Sequence, residues 1–396
     1  MLNQKYVYLV AVGHFFCDIA MGALPAILPF FILYYGMDYS AVAGFMFASS
    51  FLSSLVQPTF GWLADHTSKT WLMSLGILLS GVAMGLVGLF EDYWSIFALV
   101  TVSGIGSAIF HPEAARIINK LSGAKRGTAL SIFSVGGNGG FAVGPIIAVS
   151  VITFFGMRGT VVFSFLAIII SAALLVIGPR MKEEIAKSVI INNSKRSNSL
   201  TEHDKSKNDW PSFARLTLII GFSSVVVCGL RSFIPLYLVE VTGLSPAVAG
   251  SALTLLFMFG VVTTLIGGFL ADRIGYLKVV QFSYWLLAPM IAILSQTTNA
   301  YLCFLLMVPI GFAMFSPFSS VVVLGQNYLA KSIGFASGVT LGLYFSIGGV
   351  FVPLIGKFAD NYGLPKTMEL LTFFAFLAAL CTFILPKPLT EDGTEA

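Results

Sequence analysis

Charge is what this chain lacks most. Only 10% of its 396 residues are Asp, Glu, Lys or Arg, 18 acidic and 22 basic, against about 25% in an ordinary globular chain. So few ionic groups cannot cover the surface of a water-soluble protein of this length, which excludes a string of soluble domains. The net charge of +4 gathers on no concentrated face outside one loop, which excludes nucleic acid as a main partner. Cysteine is scarce too: Cys17, Cys228, Cys303 and Cys381 stand singly in apolar stretches, which argues against a disulfide framework or a metal site. No Ser/His/Asp set, metal-ligand spacing or phosphate loop is present, so the sequence predicts no enzyme, no resident metal and no cofactor.

Apolar residues supply 57% of the chain, 36 of them Phe, and the mean hydropathy is +0.90. A helix needs about 20 apolar residues to cross a bilayer core of ~30 Å. Twelve runs meet that need: 6–35, 41–64, 70–90, 93–119, 126–155, 159–179, 213–238, 247–270, 278–296, 301–328, 333–358 and 367–386. The first is too long for a signal peptide and shows no cleavage site, so it stays in the mature chain. With both termini inside, Lys5, Lys69, Lys120, Lys125, Arg126, Arg273, Lys278, Lys331 and Lys387 fall on the cytoplasmic side. Only Arg158, Lys357 and Lys366 fall opposite, as the positive-inside bias requires. Residues 181–211 are polar and of mixed charge, the composition of a flexible cytoplasmic linker.

The halves repeat. Ala41-Val42-Ala43-Gly44 returns as Ala247-Val248-Ala249-Gly250, and Gly61-Trp62-Leu63-Ala64-Asp65 as Gly268-Phe269-Leu270-Ala271-Asp272. Gly106 through Glu113 returns as Gly311 through Phe318, and Phe133-Ser134-Val135-Gly136-Gly137 as Phe345-Ser346-Ile347-Gly348-Gly349. Four matches in one order, offset by 205–212 residues, predict a duplicated six-helix unit. The expected architecture is all-α and polytopic: twelve transmembrane helices in two six-helix bundles related by pseudo-two-fold symmetry. The bundles are 1–180 and 212–386, with a linker over 181–211 and a cytoplasmic tail over 387–396. Duplicated bundles of this kind hold substrate near the midplane and rock about it.

The motifs carry a resemblance. Gly61-x-Leu63-x-Asp65-His66-x-x-Lys69 and Gly268-x-Leu270-x-Asp272-Arg273-x-Gly275 resemble the helix 2–3 loop signature of the major facilitator superfamily. Gly140-x-x-x-Gly144-Pro145 resembles the signature of its antiporters, without the trailing glycines. Four more elements resemble the fosmidomycin-resistance branch: His14-Phe15-x-x-Asp18, Gln57-Pro58, Phe110-His111-Pro112-Glu113-x-x-Arg116, and Ser131-x-Phe133-x-x-Gly136-Gly137-Asn138-x-Gly140. The resemblance implies a proton-driven exporter of drugs or related small organic molecules, in which helices 1, 4, 7 and 10 line the cavity. An importer of a small organic anion by proton symport is the alternative. The expected partners are a small-molecule substrate, protons and the lipid bilayer. The expected setting is the inner (plasma) membrane, as a multi-pass monomer with both termini cytoplasmic.

Ionisable groups at membrane depth cost at least ~2.5 kcal/mol each and mark function. Here they are His14, Asp18, His111, Glu113, Arg116 and Arg231. His14 and Asp18 share a face of helix 1. Counting at ~1.5 Å per residue puts His14, His111 and Glu113 ~10–13 Å from the cytoplasmic side and Asp18 ~18 Å. These residues, with Arg116, Arg231, Asn138 and Gln57, form the predicted proton-coupling and substrate cavity. A fixed ion-pair network between helices 1 and 4 is the competing reading. Glu113 and Arg116 fit either a pair or a lipid anchor. Arg231 fits contact with an anionic substrate. Asn138 lies among glycines that fit close helix packing. Gly61, Asp65, Lys69, Asp272, Arg273 and Lys278 are the expected gating-loop residues.

Overall fold

The computed structural model describes residues 4–50, 60, 69–121, 126–196, 208–330 and 332–386. Among them every regular element is helical. The helices are α1 (Gln4–Tyr35), α2 (beginning at residue 39), α3 (Trp71–Leu86), α4 (Tyr93–Leu121), α5 (Arg126–Phe155) and α6 (Val161–Arg196). Then come α7 (Trp210–Thr242), α8 (Pro246–Ile274), α9 (Tyr276–Gln296), α10 (Ala300–Phe315), α11 (Phe318–Tyr328), α12 (Ile333–Tyr362) and α13 (Leu364–Cys381). Ten segments among the described residues are long and apolar enough to cross a membrane, so the protein is a multi-pass membrane protein.

Helix ends follow local chemistry. Asp209 caps α7 by accepting the Ser212 N–H, beside Pro211 in the first turn. Ser245 caps α8 in the same way, with Pro246 at its first position. Gly243 closes α7 at φ +68°, a conformation that costs glycine little.

Two differences from the sequence reading stand out. Helix α6 runs on through Arg196, so residues 181–196, expected as flexible linker, are helical. Their mixed side chains carry no breaker after Pro179, and a straight-chain sequence such as Met181-Lys182-Glu183-Glu184 has good helix propensity. The run expected at 301–328 divides into α10 and α11 at Ser316-Pro317, whereas α4 continues through the matching Pro112.

Two compact units emerge: residues 1–30 with 48–202, and residues 31–47 with 203–396. The turn at Gly36 and its flanks, placed by the sequence reading in the first bundle, thus group with the second unit. There Asp360 accepts the N–H groups of Tyr39 (2.8 Å) and Ser40 (3.0 Å). The Tyr39 hydroxyl donates to Glu240 at 2.5 Å.

In the first unit, α1 and α5 cross at backbone contact. A Cβ at Gly136 would strike the Ala11 carbonyl, one at Gly140 the Phe15 carbonyl, and one at Gly144 the Ile19 carbonyl. Both sets recur every four residues, the spacing of a single helix face. This i, i+4 ladder is small-residue packing of the kind that lets membrane helices approach closely. It fixes α5 against the face of α1 that carries His14 and Asp18.

Candidate functional site

Asp18 follows His14 by one helical turn on α1, so both side chains leave the same face. His111 reaches them from α4. His14 Nε2 lies 3.1 Å from Asp18 Oδ2, His111 Nε2 lies 3.3 Å from Asp18 Oδ1, and the two Nε2 atoms are 3.1 Å apart. The outer nitrogens are also engaged. His14 Nδ1 donates to the Phe133 carbonyl of α5 at 2.8 Å. His111 Nδ1 donates to the Ser107 carbonyl of α4 at 2.8 Å. The His14 ring stacks on Phe133 with centroids 3.9 Å apart and meets His111 edge-on at 4.9 Å.

The trio sits inside the protein but not beyond reach. Side-chain exposure is 4% for Asp18, 10% for His14 and 28% for His111, so His111 is the group open to its surroundings. Nitrogen and oxygen atoms of all three lie within 4.8 Å of one another.

Three residues outside the expected cavity set complete the site. Phe133 supplies a stacking face and an acceptor, and Ser107 an acceptor. Gly137 leaves room: a Cβ there would overlap Cε1 and Nε2 of His14 and lie 2.8 Å from Asp18 Oδ2. Phe133 and Gly137 fall in the α5 motif that repeats between the halves. Their role depends on which face of α5 meets α1, which spacing within α5 alone does not settle.

Glu113 does not join the trio through its carboxylate. Two residues past His111, it leaves α4 on nearly the opposite face. It is fully buried and takes both Nε (2.7 Å) and Nη2 of Arg116. Arg116 is itself buried, so the pairing is what the structure holds and the lipid anchor is not. Helix depth alone placed Glu113 beside His111; its angular position separates them.

Arg231 is buried in the second unit, with its guanidinium 5.4 Å from the centre of the Phe257 ring. That is within cation–π range. Asn138 is half-buried, inside α5. Gly140 and Gly144 belong to the α1–α5 ladder, with Pro145 inside α5. Of the expected gating residues, Lys69 is exposed, Asp272 accepts the Tyr276 hydroxyl at 2.9 Å, and Arg273 lies over the Phe269 ring at 4.1 Å. Lys278 lies in the first turn of α9. Gln57, Gly61 and Asp65 lie outside the described residues.

The model of the Major Facilitator Superfamily matches residues 10–353. The MFS-type transporter YfnC of Bacillus subtilis is 29% identical over 386 residues, covering 96% of this chain and 93% of its own. The fosmidomycin resistance protein of Escherichia coli K12 is 28% identical over 385 residues, covering 95% and 91%. Among solved structures, a bacterial homolog of the human lysosomal transporter Spinster, inward-facing and occupied, superposes with a TM-score of 0.79. The identity is 15%, over 97% of each chain.

Proposed function

The chain belongs to the Major Facilitator Superfamily, and from that premise we propose that this transporter exports a small, drug-like organic molecule in exchange for protons taken up at His14, Asp18 and His111. That it is a transporter and not an enzyme follows from family and fold; the cargo, the direction and the coupling ion are the proposal.

The observation that carries the reading is a buried imidazole, a partly exposed one and a buried carboxylate with mutual distances of 3.1–3.3 Å. Histidine is the side chain whose ordinary titration falls nearest neutral pH. An ionisable cluster at membrane depth is costly and persists where it serves transport. The exposure of His111 relative to its two partners supports a route by which protons enter and leave. Export, and not import, is supported by relatives described as a fosmidomycin resistance protein and a multidrug resistance protein of Proteus mirabilis, 25% identical over 406 residues. The antiporter-like Gly140-x-x-x-Gly144-Pro145 agrees with it.

In this reading alternating access carries the cargo across the bacterial inner membrane, the protein acting as a monomer with both termini cytoplasmic. Arg231, with its planar fork of donors, is the anion contact for a phosphonate- or carboxylate-bearing cargo. Asp65, Lys69, Asp272, Arg273 and Lys278 bias the gating loops, and Gln57 and Asn138 contribute to the cavity wall.

The test uses inverted membrane vesicles and fosmidomycin as probe. An imposed pH gradient, acidic inside the vesicle, drives fosmidomycin inward in the wild type and not in Asp18→Asn or His111→Ala. Fosmidomycin movement indifferent to the gradient refutes the coupling. Accumulation in right-side-out vesicles driven by external acid reassigns the protein as an importer.

A further inference from the structure

Resting on the reading of the trio as the coupling site, we propose that one proton, held between the two histidines, is the transported charge, while Asp18 stays an ionised carboxylate throughout.

The argument begins with the outer nitrogens. Each Nδ1 is 2.8 Å from a backbone carbonyl, and a carbonyl oxygen only accepts, so each Nδ1 carries its hydrogen. The hydrogen bond at one ring nitrogen decides what the other can do. Both Nε2 atoms therefore turn lone pairs inward, towards each other at 3.1 Å and towards the two oxygens of Asp18 at 3.1 and 3.3 Å. With no added proton, every inward atom is an acceptor and nothing lies between them. The site then holds one uncompensated negative charge on a carboxylate that is only 4% exposed.

One added proton changes both balances. An Nε2–H on either ring donates to the facing Nε2 or to its own Asp18 oxygen, so the proton relieves the contacts of the ring that carries it and leaves one acceptor-to-acceptor contact at the other. An imidazolium beside a carboxylate sums to zero, the cheapest charge state for a buried group. A second proton gives two imidazoliums against one carboxylate and restores a net charge of the opposite sign. Proton binding by Asp18 instead would leave its hydrogen bonded to a ring nitrogen that is the stronger base.

Among the described residues, few other charges bear on the trio. On α1 the titratable neighbour is the Cys17 thiol, which faces Ser107 and Ser80. From α4 come His111 and, beyond it, Glu113, closed into a neutral pair with Arg116. Helix α5 contributes Phe133 and Gly137, neither titratable. Packed behind His14 are Phe110 and, against Gly13, Ile77 and Leu174.

The experiment uses the full chain in lipid nanodiscs. The protein contains four histidines, His14, His66, His111 and His203, and His66→Gln/His203→Gln leaves the pair alone for ¹⁵N-histidine NMR. Spectra run from roughly pH 4 to pH 9, across the histidine range. Expected are Nδ1–H signals from both rings at every pH, and a single protonation shared by the two Nε2 signals. The ¹³C signal of the Asp18 carboxylate remains that of an anion. Proton uptake, read with an indicator dye, differs by one proton between this protein and the same protein carrying His14→Gln/His111→Gln. Two separate imidazoliums, an uptake difference of two, or a protonated Asp18 signal overturns the proposal. Should the four-site variant not purify, the two-histidine spectrum decides by itself. Fosmidomycin flux in proteoliposomes is read separately. Absence of pH-driven flux with a one-proton site sinks the transport reading alone, and pH-driven flux with a two-proton site sinks the shared proton alone.

Discussion

Replacing Gly137 by Ala is the sharpest perturbation of the site, because it adds one methyl and no charge. The new carbon would overlap the edge of the His14 ring and sit 2.8 Å from Asp18 Oδ2. Ordinary contact needs about 3.5 Å, so the ring must withdraw by about 1 Å. It has little freedom to do so. Phe133 stacks on its face at 3.9 Å between centroids, and a 1 Å shift stretches the 2.8 Å bond from Nδ1 to Phe133 O beyond hydrogen-bonding range. A buried bond left unmade costs about 1–3 kcal/mol. If the step that moves the proton needs the trio intact, about 2–3 kcal/mol on its barrier slows transport roughly 30- to 150-fold. The assay is pH-driven fosmidomycin flux in proteoliposomes, compared at equal amounts of monodisperse protein. Gly139→Ala is the control: its Cβ would meet only Phe15 ring carbons, the nearer at 3.2 Å, and should slow flux by less than threefold. Gly137→Ala running at the wild-type rate, or the two variants falling equally, refutes the argument that Gly137 holds space for the histidine.

Other outcomes follow from the same geometry. Glu113→Gln removes the carboxylate that pairs with the buried Arg116 cation and should cost about 3–5 kcal/mol, seen as a large fall in the melting temperature of the detergent-solubilised protein. Glu113→Gln combined with Arg116→Met should recover most of it, and no recovery argues against the pair. Asp360→Ala removes the acceptor shared by the Tyr39 and Ser40 amides and should cost about 1 kcal/mol, as for a lost helix cap, read in the same thermal assay. Arg231→Ala should raise the KM for fosmidomycin at least tenfold while leaving the pH dependence of the flux unchanged; a shift in that pH dependence places Arg231 in the proton path instead.

The all-helical, many-span architecture and the pairing of His14 with Asp18 were legible in the sequence because both depend on one-dimensional spacing. Apolar length sets a span, and four residues set a shared face. His111 was found by depth, a cruder guide, and the same guide placed Glu113 beside it wrongly. Depth along a helix says nothing of the angle around it, and two residues turn a side chain to the far face. Phe133, Ser107 and Gly137 were beyond reach for a different reason. Two accept through backbone carbonyls, which every residue possesses, Phe133 adding the ring that stacks on His14, and the third acts through a missing side chain. The run of α6 past Met181 shows that mixed charge marks solvent exposure, not the loss of a helix.

The turn at Gly36 has a bearing on how the protein is made. Tyr39 and Ser40 leave the ribosome early, yet their partner Asp360 lies 321 and 320 residues further on, and Glu240 lies 201 residues beyond Tyr39. At roughly 5–20 residues per second of synthesis, the first hairpin waits about 15 to 60 s for the carboxylate that caps it. Until α12 has been inserted, the Tyr39 and Ser40 amides lack the carboxylate that caps them, while α1 is already held by the glycine ladder to α5 and by the contact of His14 with His111 of α4.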